Sequence, residues 1–100
     1  SSSASDVYKR HETLLPKLMG GRPEKGKKHF ERAIEIEERF LLSKVIFAEQ
    51  YARLVFDQQL HDRLLEDVLA ADPMAGEFTL TNQIAKKRAI LLLESSKDYF

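Results

Sequence analysis

The residue types that could build a metal or catalytic site in this chain are its three histidines, His11, His29 and His61, and its many carboxylates. None of the histidines belongs to a His-x-x-x-His or Glu-x-x-His pair, the spacings that place two metal ligands on one helix face. Only Asp57 and His61 stand four residues apart, so that a carboxylate could face an imidazole. An ordinary surface pair is favoured over a ligand pair there by about ten to one. We therefore predict no metal site and no cofactor.

Other catalytic chemistry also lacks support in the residues. The chain has no cysteine, which excludes thiolate nucleophiles and disulfides and leaves the redox compartment open. Gly20 and Gly21 are followed by Arg22 and Pro23, so no glycine-rich phosphate-binding loop is present. The glutamates within residues 35–38 are typical of a solvated helix face, whereas a general acid needs burial. We therefore predict that the chain is not an enzyme.

Composition and charge limit the class of protein further. Basic and acidic residues number 16 each, so the broad positive field that nucleic-acid binding needs is absent. Two basic clusters, within residues 22–28 and 86–88, are interpreted as solvated faces, with partner binding as the alternative. There is no run of 18 apolar residues and no signal-peptide pattern at the start, so membrane attachment would need an anchor outside this chain.

Length and helix-forming composition favour one small all-α domain. We place this domain at residues 6–100, behind a flexible lead of residues 1–5, and expect it to be part of a longer protein. Asp6 can cap a first helix that ends near Leu18. Gly20 and Gly21 form a turn, and Pro23 suits the first position of a second helix. Residues 41–56 are apolar on nearly all sides, which predicts a central third helix.

Two more helices follow from local signals. Without a break after residue 56, residues 41–72 would form one helix of about 48 Å, too long for so small a domain. Asp57 can cap a fourth helix, and Pro73 ends that helix near Asp72. Thr79 or Thr81 can cap a fifth helix. Its inward-facing residues are predicted to be Ile84, Ala85, Ala89, Leu92 and Leu93.

The order of helices, turns and breakers is typical of tetratricopeptide-like repeats. Gly26, Phe30 and Ala33 stand at spacings of four and three, so that a large residue lies between two small ones on one helix face. We predict about five helices, packed as antiparallel hairpins in a right-handed superhelical array, with a generic helix bundle as the alternative. The predicted helix-crossing residues are Gly26, Phe30, Ala33, Ala48 and Tyr51.

Four sequence elements together resemble a known family. They are HFERAIEI, FAEQYA at residues 47–52 followed by Asp57, LLEDVLAADP at 64–73, and LTNQIAKKRAILLL at 80–93 with Phe100 closing. Over residues 20–100 the chain resembles the C-terminal part of TatT, the T component of tripartite ATP-independent periplasmic (TRAP) transporters, a lipoprotein family with tetratricopeptide-like helices. The resemblance implies a periplasmic, membrane-anchored, oligomeric protein that partners the solute-binding protein of the transport system.

Two other functions stay open at this point. One is a generic tetratricopeptide-like adaptor that holds a peptide or helix in its groove, in the cytoplasm. The other is a helical regulatory domain of an enzyme whose active site lies outside the chain. The helices could also enclose a hydrophobic small ligand, because the fifth helix is apolar on more than one face.

The fifth helix supplies the predicted interface. Residues 90–93 are four apolar side chains in succession, which a single packing face cannot cover. We therefore predict a homo-oligomer, or contact with another protein, through the outer face of residues 80–100. The candidate interface residues are Leu80, Ile84, Arg88, Ile90 and Leu91.

Overall fold

The computed structural model describes residues 22–100, and these residues form an all-α fold. The first predicted helix and the Gly20 and Gly21 turn lie outside the described residues. Within residues 22–100, 77% of the residues are helical and there is no strand, which confirms the predicted fold class. The superhelical, tetratricopeptide-like arrangement stays a prediction. The elements are α1 (Pro23–Ile36), α2 (Leu42–Ile46), a π-helix (Phe47–Ala52), α3 (Gln58–Ala70), a 3-10 helix (Gly76–Phe78), α4 (Thr79–Glu94) and α5 (Ser96–Tyr99).

Helix α1 begins where the sequence predicts and ends earlier than its apolar pattern suggests. Pro23 occupies the first turn, where its missing N–H costs no hydrogen bond. The helix ends at Ile36, and the N–H of Glu37 donates to the carbonyl of Ala33 at 3.2 Å. Phe40 stands seven residues after Ala33, a spacing that predicts the same helix face, but it lies in the following turn. There its ring meets Phe78 edge-on, with centroids 5.3 Å apart.

The predicted central helix is interrupted. After α2, the N–H of Arg53 donates to the carbonyl of Ala48 and that of Asp57 to Ala52, five residues back in each case, as in a π-helix. Phe56 ends this segment with a φ of 56°, a left-handed conformation that a bulky residue rarely adopts. The predicted break is confirmed, because Asp57 caps α3 by accepting the N–H of Leu60 at 3.0 Å.

The core lies where α2 and the π-helix pack between α1, α3 and α4. Phe30 of α1 stacks on Phe47 of the π-helix, with ring centroids 5.1 Å apart and planes 9° apart. Both rings are buried, and so are Leu65 and Val68 of α3. The other fully buried apolar residues among those described are Val45, Ile46, Ala48, Ala52, Ala85 and Ala89.

Helix α4 corrects two expectations. Ala85, Ala89 and Leu92 are buried and Leu93 is half-buried, as predicted, but Ile84 is exposed and Asn82 is buried instead. The helix carries apolar residues on opposite faces, so its sequence alone does not choose the inner one. The predicted cap by Thr79 or Thr81 is wrong, because no side chain caps α4. The Thr79 hydroxyl instead accepts the N–H of Ala75 and donates to the carbonyl of Gly76, both at 3.0 Å, which closes the preceding turn.

Candidate functional site

The predicted helix-crossing residues lie around the contact between α1 and the π-helix. Phe30 and Ala48 have no solvent exposure, Gly26 is buried, and Ala33 and Tyr51 are half-buried. The Phe47 ring lies between Phe30 and Tyr51, with the Tyr51 ring centroid 5.5 Å away. This region is a packed seam, since the Phe30 and Phe47 rings are both buried and stack on each other.

We expect Ala48→Leu to lower the free energy of unfolding by about 1 to 3 kcal/mol, because the added carbons have no space in a fully buried site. Ala33→Leu, at a half-buried position, should fall at the lower end of that range. Ala70→Leu, at an exposed helical position, is the matched control and should change stability by less than about 0.5 kcal/mol. Equal losses for Ala48→Leu and Ala70→Leu in denaturant melts would contradict this packing.

The outer face of α4 carries exposed apolar side chains. The exposed fractions are 69% for Leu80, 43% for Ile84, 45% for Ile90 and 57% for Leu91. At 3.6 residues per turn, Leu80, Ile84 and Leu91 fall within about 40° of one another around the helix. These three residues, defined here as the outer α4 stripe, lie on the side of α4 opposite the buried alanines, and Ile90 lies about 100° from Leu91, at the edge of the stripe.

The basic residues beside this stripe are largely tied to the fold. Arg88, a candidate interface residue, donates from Nε to the Glu49 carboxylate of the π-helix at 3.2 Å and forms further bonds to it through its other nitrogen. Lys86 donates to the carbonyl of Leu69 at 2.8 Å. Two of the three cations in the cluster at residues 86–88 therefore hold α4 against its neighbours, and Lys87 lies exposed.

A partly buried polar network, defined by Arg53, His61, Asp62 and Ser96, joins the end of the π-helix, α3 and the C-terminal residues. His61 has no solvent exposure. Its Nε2 accepts from Arg53 Nε at 3.0 Å, and its Nδ1 lies 2.8 Å from the Asp62 carboxylate. The same Asp62 oxygen accepts from the Ser96 hydroxyl at 2.7 Å. Since arginine can only donate, Nε2 is the acceptor in this contact, and Nδ1 faces the Asp62 carboxylate.

Arg53 extends this network to the end of the chain. One of its terminal nitrogens donates to the carbonyl of Leu92 at 3.1 Å and to the hydroxyl of Ser95 at 2.9 Å. Its guanidinium lies 4.6 Å from the ring centroid of Tyr99, whose hydroxyl donates to the Arg53 carbonyl at 3.1 Å. The Arg53 side chain therefore holds residues 95–99 against the end of the π-helix.

These residues do not form a catalytic triad. In a nucleophilic triad the imidazole accepts from the serine and donates to the carboxylate. Here Ser96 donates to Asp62 instead, and the Nε2 of His61 is occupied by Arg53. The pairing that the sequence allowed between Asp57 and His61 is absent, because Asp57 caps α3. The spacing of residues did not predict Asp62 as the partner of His61, because adjacent residues of a helix rarely contact each other.

Asn82 forms a second buried polar site. Its Oδ1 accepts the N–H of Leu41 at 2.9 Å, and its Nδ2 donates to the carbonyls of Arg39 at 2.8 Å and Pro73 at 3.2 Å. One amide thus joins α4 to the connection before α2 and to the connection after α3. No buried side-chain nitrogen or oxygen within residues 22–100 lacks a hydrogen-bond partner, so this site contains no unused polar group.

The connection before α2 also contains an exposed ion pair. Arg39 donates from its backbone N–H at 3.2 Å and from Nε at 2.9 Å to the Glu37 carboxylate. These side-chain and backbone hydrogen bonds lower the pKa of Glu37 and the pairing raises the pKa of Arg39. The pair lies in solvent, so it shapes the turn without serving as a site.

A groove of about 220 Å³ lies between α1 and α3. Its walls carry charges of both signs, and this volume is below that of usual small-molecule pockets, about 300 to 1,000 Å³. It is therefore a poor match for the hydrophobic ligand considered from the sequence. The lining residues are Lys27, Glu31, Phe47, Asp57, Gln59, Leu60, Arg63 and Leu64.

Residues 22–100 contain no cluster of three histidine or acidic side chains placed to hold a metal ion. In the same stretch, no helix has the length and apolarity needed to cross a bilayer. The described part of the chain is thus an all-α protein with one helix exposing an apolar stripe and with polar networks that join its elements.

The comparisons assign this helical protein to a family. The sequence model described as the TRAP transporter T-component matches residues 1–100. The chain belongs to the TRAP transporter T-component family, and its role lies in a TRAP transport system. The match also includes the first 19 residues, which the sequence resemblance left out. No curated protein and no solved structure matches the chain.

Proposed function

We propose that this chain is the helical interaction component that contacts the solute-binding protein of its TRAP transport system, in the periplasm. Membership of the T-component family supports the transport role. The outer α4 stripe is the observation that carries the proposal of protein contact, because it is apolar, exposed and built on a long helix. The stripe is a better candidate than the α1 and α3 groove, whose walls are charged.

The outer α4 stripe is a long surface that is apolar except for one cation. Leu80 and Leu91 are separated by about 16 Å along the helix, at 1.5 Å per residue. Lys87 falls within about 60° of these residues around the helix and lies between Ile84 and Leu91 along it, so one cation is part of this surface, and Glu94 follows. We propose the solute-binding protein as the partner of the stripe, and a second copy of the chain is the alternative that the measurements below distinguish.

The double variant Ile90→Lys, Leu91→Lys tests this surface. We expect it to lower the mass measured by light scattering at micromolar protein, or to weaken binding of the system's solute-binding protein in calorimetry by about tenfold or more. The reason is that two ammonium groups would have to lose water on burial. Circular dichroism should be unchanged, since both side chains are exposed.

The matched control is Leu54→Lys, Met74→Lys, which places the same two charges on exposed apolar residues outside α4. We expect this control to keep the mass and the affinity of the unaltered protein. If both double variants behave like the unaltered protein in both measurements, the outer α4 stripe is not an interface. If both lose binding equally, added charge and not the stripe explains the effect, and the proposal fails.

A further inference from the structure

Lys87 is an exposed cation on the outer face of α4 that the fold itself does not use. Its two neighbours in the basic cluster, Lys86 and Arg88, both bond to other parts of the fold. Within residues 22–100 the Lys87 ammonium has no ion pair and no hydrogen bond. Its charge is therefore available to whatever covers this face.

The helix surface around Lys87 contains no acid. On a helix, the side chains nearest to a residue are those three and four positions away. For Lys87 these are Gln83, Ile84, Ile90 and Leu91, all of them exposed. Glu94, the one acidic residue of α4, lies seven residues further on, about 10.5 Å along the axis at 1.5 Å per residue. A partner that covers Lys87 would therefore remove water from an ammonium that its own helix does not neutralise.

We propose that the partner of the outer α4 stripe presents a carboxylate that pairs with Lys87, set within an apolar surface that covers the stripe. This inference rests on the proposed contact with the solute-binding protein and specifies the chemistry of that protein's surface. An ammonium buried without a counter-charge is strongly destabilising, whereas a paired one is tolerated. The carboxylate has to lie opposite the stretch between Ile84 and Leu91, so it also fixes the register of the partner along α4.

The charge pattern disfavours a second copy of this chain as the occupant. Two copies that meet through the same surface are related by a two-fold axis, so facing residues pair reciprocally. One antiparallel register places Leu80 against Leu91. Lys87 then faces Ile84 of the other copy and gains no counter-charge. An axis through Lys87 brings two ammonium groups together, and pairing Lys87 with Glu94 moves Leu80 past the end of the other α4. None of these registers both covers the stripe and pairs Lys87, which favours a partner of different sequence.

Lys87→Met tests the counter-charge, because it keeps the apolar stem and removes the ammonium. Calorimetry with the system's solute-binding protein should show binding weakened about tenfold or more, since the carboxylate of that protein is left buried and unpaired. Lys87→Glu should weaken binding further through repulsion. Lys28→Met and Lys28→Glu, at an exposed helical position on α1, are the matched controls and should keep the affinity. Circular dichroism should be unchanged for all four variants, since both lysines are exposed.

A charge exchange identifies the carboxylate. In the presence of Lys87→Glu, the surface acids of the solute-binding protein are replaced by lysine one at a time. Binding should be restored at one position, because the ion pair is then re-formed with its charges reversed. If no position restores binding, the proposal is overturned.

Two further results would overturn it. An affinity that Lys87→Met leaves unchanged or raises would mean that the ammonium reaches water past the edge of the contact. Equal losses for the Lys28 variants would mean that general charge attraction explains the effect. If either result accompanies lost binding in Ile90→Lys, Leu91→Lys, the stripe is still the contact surface and only the counter-charge is refuted. If the unaltered chain does not bind the solute-binding protein at all, the proposed function fails as well.

Discussion

Asn82→Ala should lower the free energy of unfolding by about 2 to 4 kcal/mol. The substitution removes three hydrogen bonds in a site without solvent exposure. A buried group left without its partner costs about 1 to 3 kcal/mol. The Leu41 N–H loses its acceptor and the two carbonyls lose their donor, so the loss should exceed that of an average polar substitution. Urea unfolding followed by circular dichroism measures it.

Two further variants separate hydrogen bonding from loss of volume. Asn82→Asp keeps the shape and the acceptor for Leu41 but directs a carboxylate at the carbonyls of Arg39 and Pro73. We expect a loss at least as large as for Asn82→Ala at neutral pH. Gln83→Ala removes a neighbouring amide that is exposed, and it should change stability by less than about 0.5 kcal/mol. A stable Asn82→Asp protein at pH 7 would show that the amide donors contribute little.

Arg53→Met should lower the free energy of unfolding by about 2 to 3 kcal/mol. The methionine retains much of the apolar stem but leaves His61 Nε2 and the Ser95 hydroxyl without their donor. It also removes the cation that lies over the Tyr99 ring, a contact of about 0.5 to 2 kcal/mol. Because Arg53 is half-buried, water can replace part of what is lost, which keeps the expected effect below that of Asn82→Ala.

The contrast with Arg63→Met makes this prediction specific. Arg63 lies exposed on α3, beside the groove, and has no hydrogen bond to another side chain in the described structure. Its loss should leave stability within about 0.5 kcal/mol of the unaltered protein. Arg53→Lys retains the charge but offers one ammonium in place of a planar set of donors, so it should restore less than half of the lost stability. Full recovery with lysine would mean that charge alone supports the network.

Three helix boundaries were determined by local sequence signals. Pro23 starts α1, Asp57 caps α3, and α3 ends at Ala70, shortly before Pro73. Each of these signals acts through the residue's own backbone geometry or through a hydrogen bond to an atom three residues away. Such short-range effects are the same wherever the segment lies in the fold, which is why the all-α class and the break at Asp57 could be predicted.

The burial of polar groups was decided by the tertiary structure. Asn82 accepts from Leu41, 41 residues away, and Ser96 reaches Asp62 across 34 residues. Nothing local distinguishes Asn82 from its exposed neighbour Gln83. The same holds for the outer α4 stripe: residues 80–93 are apolar on two faces, and only contact with α3 and α2 shows which face is inside. A side chain's neighbours in sequence set the helix, but the surface it packs against sets its burial, and that surface comes from distant parts of the chain.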